Sequence, residues 1–326
     1  MEDSSLVRMF ALLVAIAPAM IMFAYFMAMA RVSFKIDKLW NAFGLGAAIA
    51  FPCILLSQTF DWLIDLGPGP YAFSLKNSLF MAAIPEELLK LGAVLLLCWE
   101  DLQEIHPRRL FMMAIACGCG FACFENILYV FELGEWQVTA IRRSISAVPG
   151  HAFVSAMMGY CIYKAVHGRN LWWAGTIILP IFSHTVYDFF LFAASNLSKV
   201  NAPAQEILWI TWGFIFFVVL EGSIAHIFLY RLTEAEKASQ PNLFEGDPWQ
   251  GKLDHLVKSP IFWGLIGGMS IIGTGYFAHD MLDKFGTVDL VFDQGFAVFT
   301  LLHALAFLML MLTQIKRRKK SLKGRN

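Results

Sequence analysis

Nine stretches of this 326-residue chain are apolar over about the 20 residues that a helix needs to cross a bilayer. They cover residues 6–30, 40–60, 79–99, 110–131, 149–167, 171–194, 207–230, 261–278 and 290–314. In hydrocarbon every backbone polar group must be satisfied within the protein, so such runs have to fold as helices. The expected fold is all-α, a polytopic membrane helix bundle of about nine transmembrane helices. Composition agrees: 58% of residues are hydrophobic and 15% charged, where a soluble domain carries about 25% charged residues. A water-soluble globular enzyme is thereby excluded.

Lysine and arginine set the expected orientation. With the first connection (Arg31, Lys35, Lys38) in the cytoplasm, eighteen of the twenty-five basic residues fall inside. Six fall outside, namely Arg8, Lys76, Arg142, Arg143, Lys199 and Lys284, and Lys90 sits within the membrane. The bias places the N-terminus outside and the C-terminus in the cytoplasm. Glu2 and Asp3 in place of a basic leader, ahead of a long apolar run, point to an uncleaved first span. The cysteines Cys53, Cys98, Cys117, Cys119, Cys123 and Cys161 all fall in spans without zinc spacing, and are read as small packing residues. Residues 1–230 form a seven-span core, 231–260 a polar cytoplasmic linker, and 261–326 a two-span extension ending in a basic tail. The segment from Ile64 to Ser78, with Gly67-Pro68-Gly69-Pro70, cannot be helical throughout. Small residues every four positions mark close helix contacts: Ala114, Gly118 and Ala122 on the fourth span, Gly44 and Ala48 on the second, Gly264 and Gly268 on the eighth.

Against this background four spans carry polar groups that packing does not require. The third has Glu86, Glu87 and Lys90, the fourth Glu125 and Tyr129, the fifth His151, and the sixth His184 and Asp188. An ionised side chain at the centre of a membrane helix costs about 2.5–3.5 kcal/mol even on the lenient insertion scale, so three on one turn call for a function. Glu86 with Lys90, Glu125 with Tyr129, and His184 with Asp188 are each four residues apart and share a helix face. At about 1.5 Å per residue, Glu86, Glu125 and Asp188 each fall roughly 9–10 Å below the outer boundary, His151 shallower and His184 one turn deeper. Groups from four spans thus meet in the outer half. Pro85 and Pro180 free the carbonyls of Met81 and Thr176 beside these residues, as expected of a wet pocket. Pro149 suits the first turn of the fifth span, which puts His151 near a helix start.

At these positions the chain resembles the PrsW family of intramembrane proteases. The resemblance rests on Glu86-Glu87-Leu88-Leu89-Lys90 for E-E-x-x-K, Phe124-Glu125 to Tyr129 for F-E-x-x-x-Y, the histidine His151, and His184 to Asp188 for H-x-x-x-D. It covers about a third of the chain and leaves out the last two spans with their His279, Asp280 and His303. It implies hydrolysis of a peptide bond in or near the membrane, an anti-sigma factor being the family's best-known substrate, and a cell-membrane location. The family is similar to the wider CAAX-protease and bacteriocin-processing group, in which a glutamate activates water.

The chemistry expected of these residues is general-base attack by water, with Glu86 or Glu87 as base and Lys90 offsetting acidic charge. His151 and His184 either stabilise the oxyanion and protonate the leaving amine, or bind a divalent metal such as zinc with a carboxylate, the candidate ligands being Glu87, Glu125, His151 and His184. Asp188 orients His184; Glu125 is a second acid or ligand; Tyr129 is an oxyanion donor or an interfacial belt residue. Cofactors are accordingly none or one divalent metal. The expected partners are the bilayer and a membrane-protein substrate, single-span or of the anti-sigma-factor type, and no nucleic acid: the basic tail reads as an orientation signal. Glu221 and His226 are expected to pair structurally near the cytoplasmic end, and Arg142 and Arg143 to flank the mouth, facing lipid phosphate or substrate. The rival classes are an ion-coupled transporter or proton channel, whose polar groups would continue through the midplane to the cytoplasmic side, and a non-catalytic membrane scaffold.

Overall fold

The computed structural model describes residues 5–30, 36–132 and 136–239. The 231–260 linker beyond Ser239, the eighth and ninth expected spans, the Gly264/Gly268 pair, His279, Asp280, His303 and the basic tail lie outside the described residues. What is described is helical: α1 (Ser5–Ala30), α2 (Ile36–Leu63), α3 (Pro70–Leu75), a π-helical segment (Lys76–Ala83), α4 (Ile84–Cys98), a 3-10 turn (Trp99–Asp101), α5 (Pro107–Glu132), α6 (Trp136–Ile145), α7 (Ala147–His167), α8 (Leu171–Lys199) and α9 (Ala204–Ser239). No strand occurs among the described residues.

Six helical stretches among them are long and apolar enough to cross a membrane: Val7–Ala30, Asp37–Leu63, Pro107–Phe131, Trp136–His167, Leu171–Lys199 and Ala204–Thr233. The expected third span, 79–99, is not one of them, because its helix carries Glu86, Glu87 and Lys90 and is part π, part α. Pro85 accounts for that irregularity. Lacking an N–H, it cannot bond back to Met81, and the backbone N–H of Ile84 reaches five residues back to Leu79 instead. The freed Met81 carbonyl accepts the hydroxyl of Ser57 on α2, which locks α2 to the turn just before the glutamates. The preceding connection is non-helical only up to Gly69, whose φ of 123° suits glycine, and Pro70 then opens α3.

The centre of the bundle is α5, which packs against α1, α2 and α7 and is completely buried from Leu110 to Met113. Lipid gives no hydrophobic force between helices, so close approach depends on small residues. Gly118 lies against the His151 backbone and Ser155 of α7, and Gly159 of α7 lies against Phe111 and Ala114. On α2 the contact face is Ala42, Gly46 and Ala50, not the expected Gly44 and Ala48, which are exposed. Two small-residue rows with the same four-residue spacing run along this helix, and only one faces α5. A methyl group on Gly46 would collide with the Cys117 backbone, whereas at Gly44 nothing lies within 4 Å. Gly46→Ala is therefore expected to destabilise the protein by about 1–3 kcal/mol through overpacking, with Gly44→Ala close to neutral. Thermal unfolding of the two variants in detergent checks the contrast.

Two further expectations are corrected. The connection carrying Arg142 and Arg143 is a helix, α6, joined to α7 through Ser146 alone, so His151 lies a full turn inside α7 and is buried. Trp136 and Ala140 of α6 pack against Ala11 and Ala15 of α1, while Val138, Ile141 and Ile145 pack against α8 and α9. Glu221 and His226 do not pair. Glu221 accepts a hydrogen bond from Ser183 of α8 at 2.5 Å, and His226 meets Tyr25 of α1 at 2.6 Å. All six cysteines are free and buried.

Candidate active site

Glu86, Glu87 and Lys90 occupy the first turns of α4, held in place by the π segment and the Ser57 contact behind them. The three are buried, Lys90 to within 1% of complete exclusion. Its ammonium donates to Glu86 Oε2 at 3.1 Å and Glu87 Oε1 at 2.8 Å, and lies 3.1 Å from His151 Nδ1 and 4.3 Å above the Phe121 ring. An ammonium has only donors, so His151 Nδ1 accepts and Nε2 carries the ring proton toward Glu125 Oε2, 2.8 Å away. His184 Nδ1 lies 2.7 Å from Glu87 Oε1, and its Nε2 lies 3.3 Å from Asp188 Oδ2 and 3.9 Å from Glu86 Oε2. The two imidazoles meet edge to face with centroids 5.4 Å apart.

The structure thus brings together all seven expected residues, from α4, α5, α7 and α8, in one contiguous network. Around its open side lies a cavity of about 590 Å³ lined by Glu86, Glu125, Tyr129, His151, His184 and Asp188, among others. Glu87 and Lys90 do not line it. They sit behind Glu86, so one glutamate of the pair faces the space where water and substrate fit and the other faces protein. The cavity reaches Ser57, Asn77 and Leu128.

Three further residues take part in the network through partners that the sequence does not name. Arg143 of α6 turns inward: Nη2 donates to Glu125 Oε2 at 2.6 Å, Nε donates to Asn126 Oδ1 at 2.7 Å, and the guanidinium lies 4.1 Å over the Tyr129 ring. A basic residue in a short polar segment reads as interfacial, and only the adjacency to a helix boundary hinted otherwise. Asn126 adds the second acceptor for Arg143 and bonds the Ala15 carbonyl of α1. Glu221 is buried next to Ser183, one residue from His184, with its Oε2 unpartnered among the described residues.

Glu86, Glu87, His151 and His184 each offer a ligand atom, and these atoms lie within 4.8 Å of one another. Two imidazoles and two carboxylates make a donor set of the zinc type, and Glu87 Oε2 is buried with no partner among the described residues. The residues fit a divalent ion. Glu125, expected among the ligands, is outside this group because His151 and Arg143 engage it, and Glu86 takes its place.

A bundle of membrane-crossing helices around a buried acid–imidazole recess defines a polytopic membrane protein with a hydrolase-type centre. Its relatives give the class a name. Residues 35–221, more than half of the chain, match the PrsW family intramembrane metalloproteases. Protease PrsW of Halalkalibacterium halodurans is 28% identical over 207 residues, 62% of this chain and 93% of the relative. Protease PrsW of Bacillus subtilis is 26% identical over 62% of this chain and 92% of its own length, and that of Geobacillus kaustophilus 28% identical over 62% and 88%. No solved structure matches the chain. The chain belongs to the PrsW family, a family of peptidases, and is a multi-pass protein of the cell membrane.

Proposed function

We propose that the chain hydrolyses a peptide bond of a membrane-protein substrate in or near the outer half of the bilayer, with Glu86 as the general base. The observation that carries this reading is the asymmetry of the glutamate pair: Glu86 lines the cavity, and Glu87 is held behind it by Lys90 and His184. Water admitted to the cavity meets Glu86 first. Lys90 balances the two carboxylates, Glu87 and Asp188 fix the His184 ring from both nitrogens, and Glu125 fixes His151. Without a metal, the two imidazoles would act on the scissile carbonyl and the leaving amine; with one, they would hold it instead. Tyr129 lines the same cavity but is half given over to Arg143.

Charge supports a bound divalent cation. Four carboxylates, Glu86, Glu87, Glu125 and Asp188, face two fixed cations, Lys90 and Arg143, in a site shielded from bulk water. Glu86, Glu87, His151 and His184 are the residues that would hold the ion. When bound it would supply Lewis acidity and a more acidic water. Metal analysis of purified protein is expected to find about one equivalent of a divalent metal in the wild type and little in a His151→Ala/His184→Ala variant. Chelation is expected to stop cleavage, and zinc to restore it. Cleavage that survives complete metal removal would leave the carboxylate-only mechanism.

The basic residues support an outside N-terminus and a cytoplasmic C-terminus, which puts the cavity on the outer side. The family match ends at residue 221, within the 1–230 core, and the polar composition of 231–260 and the two apolar runs within 261–326 support reading them as a linker and a two-span unit. A single-span protein of the anti-sigma-factor type is the substrate class the family resemblance implies. Co-expression of such a protein with wild-type, Glu86→Gln and His184→Ala chains tests the function. Cleavage is expected only with the wild type, and equal cleavage by all three would refute it.

A further inference from the structure

Arg143 has donors left over. Its Nε and Nη2 are committed to Asn126 and Glu125, while Nη1 makes no hydrogen bond among the described residues. The side chain keeps 15% of its surface exposed and lines the cavity that Glu86 and His184 also line. A guanidinium is a planar fork of five N–H groups that cannot deprotonate, so the uncommitted ones are held rigidly by the two bonds on the other edge and by the Tyr129 ring. Its charge is already matched by the Glu125 carboxylate, which leaves little net attraction for an acidic side chain and suits a neutral acceptor.

A transmembrane substrate supplies such an acceptor only after its helix unwinds. Cutting a peptide bond requires an extended segment, and each carbonyl released from a helix within the membrane has no water to bond. We propose that Arg143 is a substrate-binding residue that donates through Nη1 to a backbone carbonyl of the unwound segment beside the scissile bond. This rests on the peptidase reading above and adds the way the site recognises its substrate: by released main-chain carbonyls, on the α6 side of the cavity. Arg143 thereby ties recognition to chemistry, since the same guanidinium holds Glu125, which holds His151.

The test uses the full chain in detergent and a fluorescent single-span peptide that the wild type cleaves. Arg143→Lys keeps a cation for Glu125 but has no planar fork with spare donors. It is expected to lower the unfolding temperature modestly, since Asn126 Oδ1 loses its donor, and to raise KM on the order of ten-fold or more, the usual weight of a hydrogen bond from a charged donor, with a smaller fall in kcat. In a Glu86→Gln background, adding Arg143→Lys is expected to weaken peptide binding by a similar factor, measured by fluorescence anisotropy without any turnover. Unchanged binding in that pair, or a loss confined to kcat, would overturn the proposal and leave Arg143 as a positioning residue for Glu125. Failure of the peptidase reading itself would be seen separately, as single-span peptides that the wild type binds and leaves uncut.

Discussion

Glu86→Gln is expected to lower peptide cleavage by about 10²–10⁴-fold, the range for loss of a general base, while the variant accumulates and unfolds like the wild type. The substitution is nearly isosteric, and the amide oxygen can still accept from Lys90, which lies 3.1 Å from Glu86 Oε2. What is lost is the carboxylate that lines the cavity. Glu87→Gln is expected to lower cleavage too, but by a different route: Glu87 meets His184 at 2.7 Å and Lys90 at 2.8 Å and does not line the cavity. The glutamine oxygen can still accept from both, so what is lost is the negative charge that holds the ammonium and the imidazole in place, and the base itself remains. Rates for the two variants on one purified substrate, alongside their thermal midpoints, separate the roles. A Glu86→Gln variant that cleaves at more than a tenth of the wild-type rate would reverse the assignment.

The second large effect concerns stability. Lys90→Met is expected to cost about 3–5 kcal/mol, because removing one partner of a buried ion pair strands the other. Here one ammonium, 1% exposed, serves Glu86, Glu87 and His151 together. Methionine fits the same channel over Phe121 but neutralises nothing. The coupling has a signature in a double-mutant cycle: Lys90→Met/Glu87→Gln should be less destabilised than the sum of the single changes, since the second substitution removes a carboxylate the first left unpaired. Thermal unfolding of the four proteins in one detergent measures this. Additive losses would mean that Lys90 contributes by packing alone.

How much of this was legible in the sequence depends on what each residue faces. The seven clustered residues stand out in the sequence because lipid makes every intramembrane charge anomalous, and spacing of four puts Glu86 beside Lys90 and His184 beside Asp188. Pro85 announced a free carbonyl at Met81, but nothing local named Ser57, on a different helix, as its donor. On α2 the sequence offers two equivalent rows of small residues, and only the packing partner selects Gly46 over Gly44. Arg143 flanks the cavity as its sequence position suggests, but nothing local names Glu125 and Asn126 as its partners. Polarity in a short connection fits an interfacial surface equally well, and its inward turn follows from α6 packing between α1 on one side and α8 and α9 on the other. Glu221 looked like the partner of His226 by spacing, yet each residue bonds to another helix. Nine spans were expected; among the described residues six stretches meet the length and hydropathy of a crossing helix, the charged third run falling short and the last two lying outside the described residues.

Carboxylates and imidazoles from four helices are proposed to form a single centre that splits a peptide bond with water. The most direct test is mass spectrometry of a single-span substrate of the anti-sigma-factor type, incubated with purified protein in H₂¹⁸O. The wild type is expected to yield a new C-terminus carrying one ¹⁸O atom, and Glu86→Gln to leave the substrate intact. An uncut substrate with the wild type, or labelled product at equal rate from both proteins, would contradict the account.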